Sequence, residues 1–363
     1  MNSAEEWRDL IDALRALGRN DAREAALATI VRAEGPTFRR TGTHMLVFDD
    51  GQVLCELAGG SLQKDIVLHC LEAIDSTHPQ RLSYGTRQGP GENLATELDG
   101  ELDVLIEPLP ATGVAFADAL ADGLDRRHGP WLATLFAADG QTLAPRHLVL
   151  CGSQVLHDGL DDPALADAIV TAVGPSDFAA PAVRRLAVGA RRFEVLLETI
   201  NPVHSLIVIG SDADARAVLK VAGALGWRLT LVDGDPQRLR HAPIPEGATT
   251  LCATPDRIRA ELALDVYSSV LVMTHNLERD IAYLKALRDT PVVYIGAPAS
   301  RDRARRMRDE AGYQGLRLHA PAGLDIGSEA PTETAMAIVT EILAVLHRRS
   351  NTQLHRIQHS FHG

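Results

Sequence analysis

The stretch 205–233, SLIVIGSDADARAVLKVAGALGWRLTLVD, decides the fold class of this chain. Ser205-Leu206-Ile207-Val208-Ile209 is a short apolar run that ends at Gly210, the pattern of a buried parallel strand. A helix over 213–225 follows, stops at Gly226 and gives way to a second strand that ends in Asp233. The same alternation then continues: strand 248–252, helix 255–262, strand 269–273, helix 280–287 and strand 292–295. Beyond Gly296 come another helix, a short return near 316–318 and a last helix over 331–347. Strands that alternate with helices in this way build a doubly wound parallel sheet. The expectation is a Rossmann-like domain over 201–349.

Upstream, residues 1–200 read as a separate α+β domain, opened by a pair of amphipathic helices that reach about Ala33. Next comes 34–65, EGPTFRRTGTHMLVFDDGQVLCELAGGSLQKD. Strands over 43–48 and 52–57 are joined at Asp49-Asp50-Gly51, a hairpin signal. Gly59-Gly60-Ser61 then leads into a helical pattern at Leu62, Ile66, Leu71 and Ile74, with Ser61 as the expected N-cap. Two glycines before a helix let several N–H groups face one anion in the field of the helix dipole. Read locally, the stretch also fits a tight connection with no ligand. Further strands are expected over 81–86, 104–106, 131–136, 147–151 and 192–199, with helices over 113–125 and 161–173. No internal sequence repeat is visible. The tail 350–363 carries His355, His359 and His362 without apolar periodicity and reads as frayed.

Net charge is −12, with arginines dispersed among carboxylates, so a phosphate-tracking nucleic-acid surface is not expected. The run RDRARRMRDE over 301–310 alternates in sign, as a solvated helix face does. No apolar run is long enough to span a bilayer and the N-terminus does not resemble a signal peptide, which points to the cytoplasm. The cysteines Cys55, Cys70, Cys151 and Cys252 form no CxxC pair and read as buried thiols; no metal ligands are assigned. A G-x-S-x-G elbow is absent, and Lys64 lies outside a P-loop arrangement.

At the start of the second domain only Gly210 and Ala215 survive of a dinucleotide fingerprint. Asp212 stands where the second glycine would admit a pyrophosphate, and its charge opposes one. Asp233 occupies the place of the ribose-binding acid, or of a structural strand end. Thr274 and His275 follow a strand's carboxyl end, where α/β sheets bind ligands, and Asp280 is expected to open the next helix. In the loop 320–333, Ser328 or Thr332 is expected to cap the last helix, Pro331 suits its first turn, and Asp325 is expected to hold the loop to the helix after Gly210.

Taken in order, these pieces resemble the XdhC/CoxI family of accessory proteins for molybdenum hydroxylases, over about 23–348. Glu34-Gly35-Pro36-Thr37-Phe38-Arg39-Arg40-Thr41-Gly42-Thr43-His44-Met45 is similar to the family's Gly-Ser-x-Pro-Arg-x-x-Gly-x-x-Met. Gly59-Gly60, Val104-Leu105-Ile106-Glu107-Pro108, Thr274-His275 with Asp280, Tyr294-Ile295-Gly296 with Ser300-Arg301, and Gly323-Leu324-Asp325-Ile326-Gly327 with Pro331 fit as well. The resemblance implies a cofactor-insertion chaperone rather than a catalyst. Such a protein binds molybdenum cofactor (molybdopterin), protects it while a sulfurating enzyme installs its terminal sulfur, and passes it to an apo hydroxylase such as xanthine dehydrogenase. It implies a homodimer too.

On this reading Arg39, Gly59, Gly60, Ser61 and Gln63 line the cofactor site. Gly210, Asp233, Thr274, His275, Asp280, Gly296 and Asp325 shape the second domain's crevice. The sequence departs from the family at Ser61, Gln63 and Leu98, which stand where a Cys, a Glu and a second Cys are usual, so the chain reads as a divergent member. Two other functions fit the residues: an NAD(P)-binding oxidoreductase and a maturation scaffold without a ligand.

Overall fold

A computed structural model describes residues 1–17, 23–85, 100–110, 114–174, 180–240, 242–314 and 317–347. The chain forms two compact units that divide between Pro202 and Val203. Leu98 and the tail histidines lie outside the described residues.

The first unit opens with α1 (Ala4–Ala16), whose start is closed by a capping box: Ser3 Oγ accepts from Glu6 N–H, and Glu6 accepts from Ser3 N–H. Only this one helix precedes the sheet among the described residues. The expected second helix is instead β1 (Ala25–Glu34), the middle strand of a five-stranded sheet. Its run Ala25-Ala26-Leu27-Ala28-Thr29-Ile30-Val31 is alanine-rich and reads as helical by propensity, yet all seven residues are buried. Ala26, Ala28 and Ile30 pack on one face with α2 (Gly60–Ser76), while Ala25 and Leu27 pack on the other with α1. Pairing on both edges and burial on both faces outweigh a propensity difference of under ~1 kcal/mol per residue.

The first sheet has the order β3-β2-β1-β5-β4, with β2 (His44–Phe48), β3 (Val53–Leu54), β4 (Gln80–Tyr84) and β5 (Glu101–Leu109). The second has the order β8-β7-β6-β10-β9, with β6 (Trp131–Ala138), β7 (Gln141–Cys151), β8 (Gln154–Asp158), β9 (Ala182–Val188) and β10 (Arg191–Thr199). All their pairings are antiparallel. Helix α3 (Ala115–Asp125) leads into β6, and α4 (Pro163–Val173) packs on the second sheet. Between the sheets, Val31 and Leu105 meet Phe136 and Leu196.

The second unit bears out the Rossmann-like expectation. Its six-stranded parallel sheet has the order β13-β12-β11-β14-β15-β16. The strands are β11 (Ser205–Ile209), β12 (Arg228–Asp233), β13 (Thr249–Cys252), β14 (Ser268–Val272), β15 (Tyr294–Gly296) and β16 (Leu318–His319). Helices α5 (Ala213–Gly223), α6 (Pro236–Arg240), α7 (Ile258–Glu261), α8 (Leu277–Leu287), α9 (Arg301–Ala311) and α10 (Pro331–Leu346) connect and cover them, and each face carries its own apolar core. The chain runs outward from β11 to β13, then crosses back to β14. The switch point therefore lies between the loops that follow β11 and β14.

Two helix starts differ from the sequence reading. Helix α8 begins at Leu277 with Asn276 as N-cap, so Asp280 lies inside the first turn rather than opening it. Helix α10 has Ala330 as N-cap, and Glu333 accepts from Glu329 N–H and Ala330 N–H in the role expected of Ser328 or Thr332. Pro331 does sit in the first turn.

Candidate functional site: a cleft at the start of α2

Helix α2 begins differently from the sequence reading. Its N-cap is Gly59, not Ser61, because the extended backbone of Gly59 (φ −117°, ψ 175°) is followed by Gly60 at φ +62°. Among the described residues no side chain caps Gly59, and the first turn contains no acid. Among the described residues, the positive end of this 17-residue helix thus has no capping carboxylate. A cleft of about 350 Å³ opens there, within the size range of small-molecule sites. Gly59, Gly60 and Arg39 line it together with Thr37 and Phe38, over an apolar floor of Leu57, Leu62 and Leu102.

Arg39 is held by Glu6 of α1, whose Oε1 lies 3.3 Å from its Nη2, and its Nε is buried without a partner among the described residues. Gln63 does not stand free in the cleft: its Oε1 accepts from Leu57 N–H (3.3 Å) and Ala58 N–H (3.1 Å), and its Nε2 donates to Met45 Sδ. It shapes the approach to the helix. Ser61 is exposed at the second helical position. Two of the floor leucines carry no signal of a site in the sequence, because Leu57 reads as an ordinary strand residue and Leu102 as part of a loop. Glu6, far away in sequence, carries no local signal.

A soft ligand for molybdenum is not supplied by the neighbouring thiol. Burial, then the Glu6 charge, pushes Cys55 up to about 11, so it stays protonated at neutral pH. What the cleft offers is hydrogen bonds, a guanidinium and an apolar floor, which suit a ring bearing a phosphate.

Of the predicted residues of the second unit, Gly210, Asp233, Thr274, His275 and Asp280 gather about the switch point and are largely engaged with neighbouring residues, whereas Gly296 ends β15 and Asp325 lies in the loop before α10. Gly210 (φ +124°) is required by close approach: a Cβ there would lie 2.3 Å from Met273 O. Asp233 is buried, accepting from Ser211 O–H at 2.7 Å and from Asp235 N–H at 3.0 Å. Asp280, also buried, accepts from Thr274 N–H (3.0 Å), Thr274 O–H (2.6 Å) and Arg303 Nη2 (2.6 Å). Asp212 caps α5 through Ala215 N–H and pairs with exposed His275. Together with Asp214 they bring three ligand atoms within 4.8 Å of one another. Gly296 leaves room for the ring of Tyr294, which a Cβ would meet at 2.5 Å. Asp325 is exposed, and among the described residues it has no hydrogen bond to the α5 start.

Glu341 of α10 ties the last strands together, accepting from Tyr294 O–H (2.6 Å) and Gly323 N–H (2.9 Å) and meeting His319 at 3.2 Å. Burial raises its pKa, but the bonds from His319, Tyr294 and Gly323 outweigh this and hold it below the ordinary 4.5. A carboxylate with a depressed folded pKa stabilises the fold above 4.5, and that contribution fades as pH falls through the folded value. Stability of the second unit is therefore expected to fall below about pH 4.5. The Glu341→Gln variant should show a shallower fall in a pH series of thermal unfolding. An identical pH slope in both proteins would contradict this.

The fold and the cleft define a two-unit protein, in which an α+β unit with a ligand-sized cleft is followed along the chain by a Rossmann-like unit. Comparison with known proteins gives the family. The description "XdhC Rossmann domain" matches residues 206–342, and "XdhC and CoxI family" matches residues 19–85. The chain is 22% identical over 344 residues to a probable xanthine dehydrogenase subunit of Bacillus subtilis, covering 94% of this chain and 98% of that one. It is 22% identical over 337 residues to the molybdenum cofactor insertion chaperone PaoD of Escherichia coli, covering 91% and 86%. A crystal structure described as a xanthine dehydrogenase from Bacillus halodurans has the same fold, with a TM-score of 0.77 at 21% identity over 96% of this chain and 97% of the other. The chain belongs to the XdhC and CoxI family.

Proposed function

We propose that this protein serves the maturation of a molybdenum hydroxylase of the xanthine dehydrogenase type, holding molybdenum cofactor in the α2 cleft and delivering it to the apo enzyme. The supporting observation is the uncapped start of α2 in a ligand-sized cleft beside Arg39. There the N–H groups at the helix start and the guanidinium take the phosphate end of the pterin, and the leucine floor takes part of the ring face. Because Ser61 and the protonated Cys55 offer no thiolate, retention in this cleft rests on hydrogen bonds and charge. Relationship to PaoD, whose name is that of an insertion chaperone, supports the same reading.

Its partners on this account are the apo hydroxylase and a cofactor-sulfurating enzyme, and the working form is a cytoplasmic homodimer. Among the described residues no helix is long and apolar enough to cross a membrane. A nicotinamide dinucleotide suits the second unit less well. Asp212 takes the place of the second fingerprint glycine, and both oxygens of Asp233 already accept hydrogen bonds.

The test is transfer. Protein loaded in a host that makes the cofactor is mixed with purified apo hydroxylase, and activity is followed with free cofactor as control. Faster or fuller activation than with free cofactor is expected; no gain would contradict the delivery role.

A further inference from the structure

The two sheets of the first unit share one strand order when each is counted from its own first strand. Each sheet is also preceded by a helix, α1 or α3, and interrupted between its third and fourth strands by another, α2 or α4. The equivalence reaches single side chains. Thr29 stands opposite His44 across β1 and β2, and Thr134 stands opposite His147 across β6 and β7. Each threonine Oγ1 meets the Nδ1 of its histidine, at 2.9 and 3.2 Å. An aromatic ring from the leading helix lies against each imidazole, Trp7 on His44 and Phe116 on His147.

The glutamates are exchanged. Glu198, from β10 of the second sheet, accepts from His44 Nε2 at 2.9 Å. Glu107, from β5 of the first sheet, accepts from His147 Nε2 at 3.0 Å. Their registers match as well: Glu107 faces Leu27 and Glu198 faces Leu132, each two residues before the threonine that meets the histidine. Reciprocal contacts of this kind are the mark of a two-fold interface, here formed within one chain.

We infer that the first unit is an internal duplication of one αβββαββ module, paired as a dimer would be, and that only the first copy is opened as a ligand site. The second clause rests on the reading of the α2 cleft given above. The copies differ where that site lies. The β1–β2 connection that supplies Arg39 is replaced in the second copy by the two-residue turn Asp139-Gly140. The uncapped Gly59-Gly60 start is replaced by Asp162, whose Oδ1 accepts from Leu165 N–H at 3.1 Å, with Pro163 behind it. A helix start filled by its own carboxylate repels an anion. One copy binds; the other braces it. The repeat is invisible in the sequence because its signature is a few buried polar residues spread over strands of different spacing.

The test combines stability and pterin content in the full-length protein. Glu107→Ala and Glu198→Ala should each lower the Tm by more than about 5 °C, and by similar amounts, because each strands a buried histidine donor. Their Gln variants take the place of any Ala variant that does not fold. Asp162→Gly should lower the Tm while keeping pterin at the wild-type level, whereas Gly59→Asp should lose it at least tenfold. A silent glutamate in one copy overturns the duplication. Loss of pterin in Asp162→Gly overturns the division of roles. Wild-type protein without pterin overturns the cleft reading and that division with it, while the two glutamate variants still decide the duplication.

Discussion

Gly59→Asp is expected to abolish retention of pterin and molybdenum while leaving the protein as stable as before or slightly more so. The backbone of Gly59 is already extended as an N-cap requires, and no atom of the described residues lies within 4 Å of a Cβ built there. Aspartate is among the preferred N-cap residues and exceeds glycine by a few tenths of a kcal/mol; its charge at the helix start adds ~0.3–1 kcal/mol. A gain of this size shifts the Tm upward by only a few degrees. The same carboxylate occupies the anion's place and takes the N–H groups the phosphate would use. Gly60→Asp is a poorer probe. At φ +62° a side chain costs roughly 1–2 kcal/mol in strain, so loss of cofactor there is mixed with loss of stability. Retention and Tm measured on Gly59→Asp separate the two effects. Wild-type cofactor content in that variant would remove the cleft from the account.

The largest stability effect is expected at Asp280. Its two oxygens collect three donors, the Thr274 N–H and O–H and the Arg303 guanidinium, at a position only 1% exposed. Asp280→Ala leaves the loop after β14 without its anchor and a guanidinium without its charge partner. Removing one member of a buried pair costs about 3–5 kcal/mol. Arg303 is 29% exposed and recovers part of this through water, so the lower end is expected, about 3 kcal/mol. Asp280→Asn should fall between, since it keeps one acceptor. Denaturant unfolding checks the order wild type, Asn, Ala. Equal stability of all three would show that the anchor is dispensable.

The parallel unit was legible because its strands are buried on both faces and read as unbroken apolar runs, such as Leu206–Ile209 before Gly210. The first unit was harder. β1 is rich in alanine and is a strand only because β2 and β5 pair with its two edges, an arrangement no local window contains. β8 and β9 went unread because they are sheet edges with mostly exposed or half-exposed side chains, including Arg184 and Arg185. At the cleft, the glycine pair announced an open helix start, but the cap position was misplaced by two residues. Ser61 is chemically the better cap, and only the left-handed φ of Gly60 shows why Gly59 takes that place. The Arg39–Glu6 and His44–Glu198 pairs bridge distant segments, so neither partner identifies the other in the sequence. In the second unit, Thr274, His275 and Asp280 were recognisable by their place after β14, whereas their engagement with Arg303 and Asp212 depends on the packed loops.

The central claim is cofactor retention by this chain, and the most direct measurement is made on protein purified from a host that synthesises molybdenum cofactor. Acid oxidation releases a fluorescent pterin derivative, and mass spectrometry counts molybdenum in the same sample. Both are expected near one per chain in the wild-type protein and neither in Gly59→Asp. Folded wild-type protein carrying neither, from a host with ample cofactor, would contradict it.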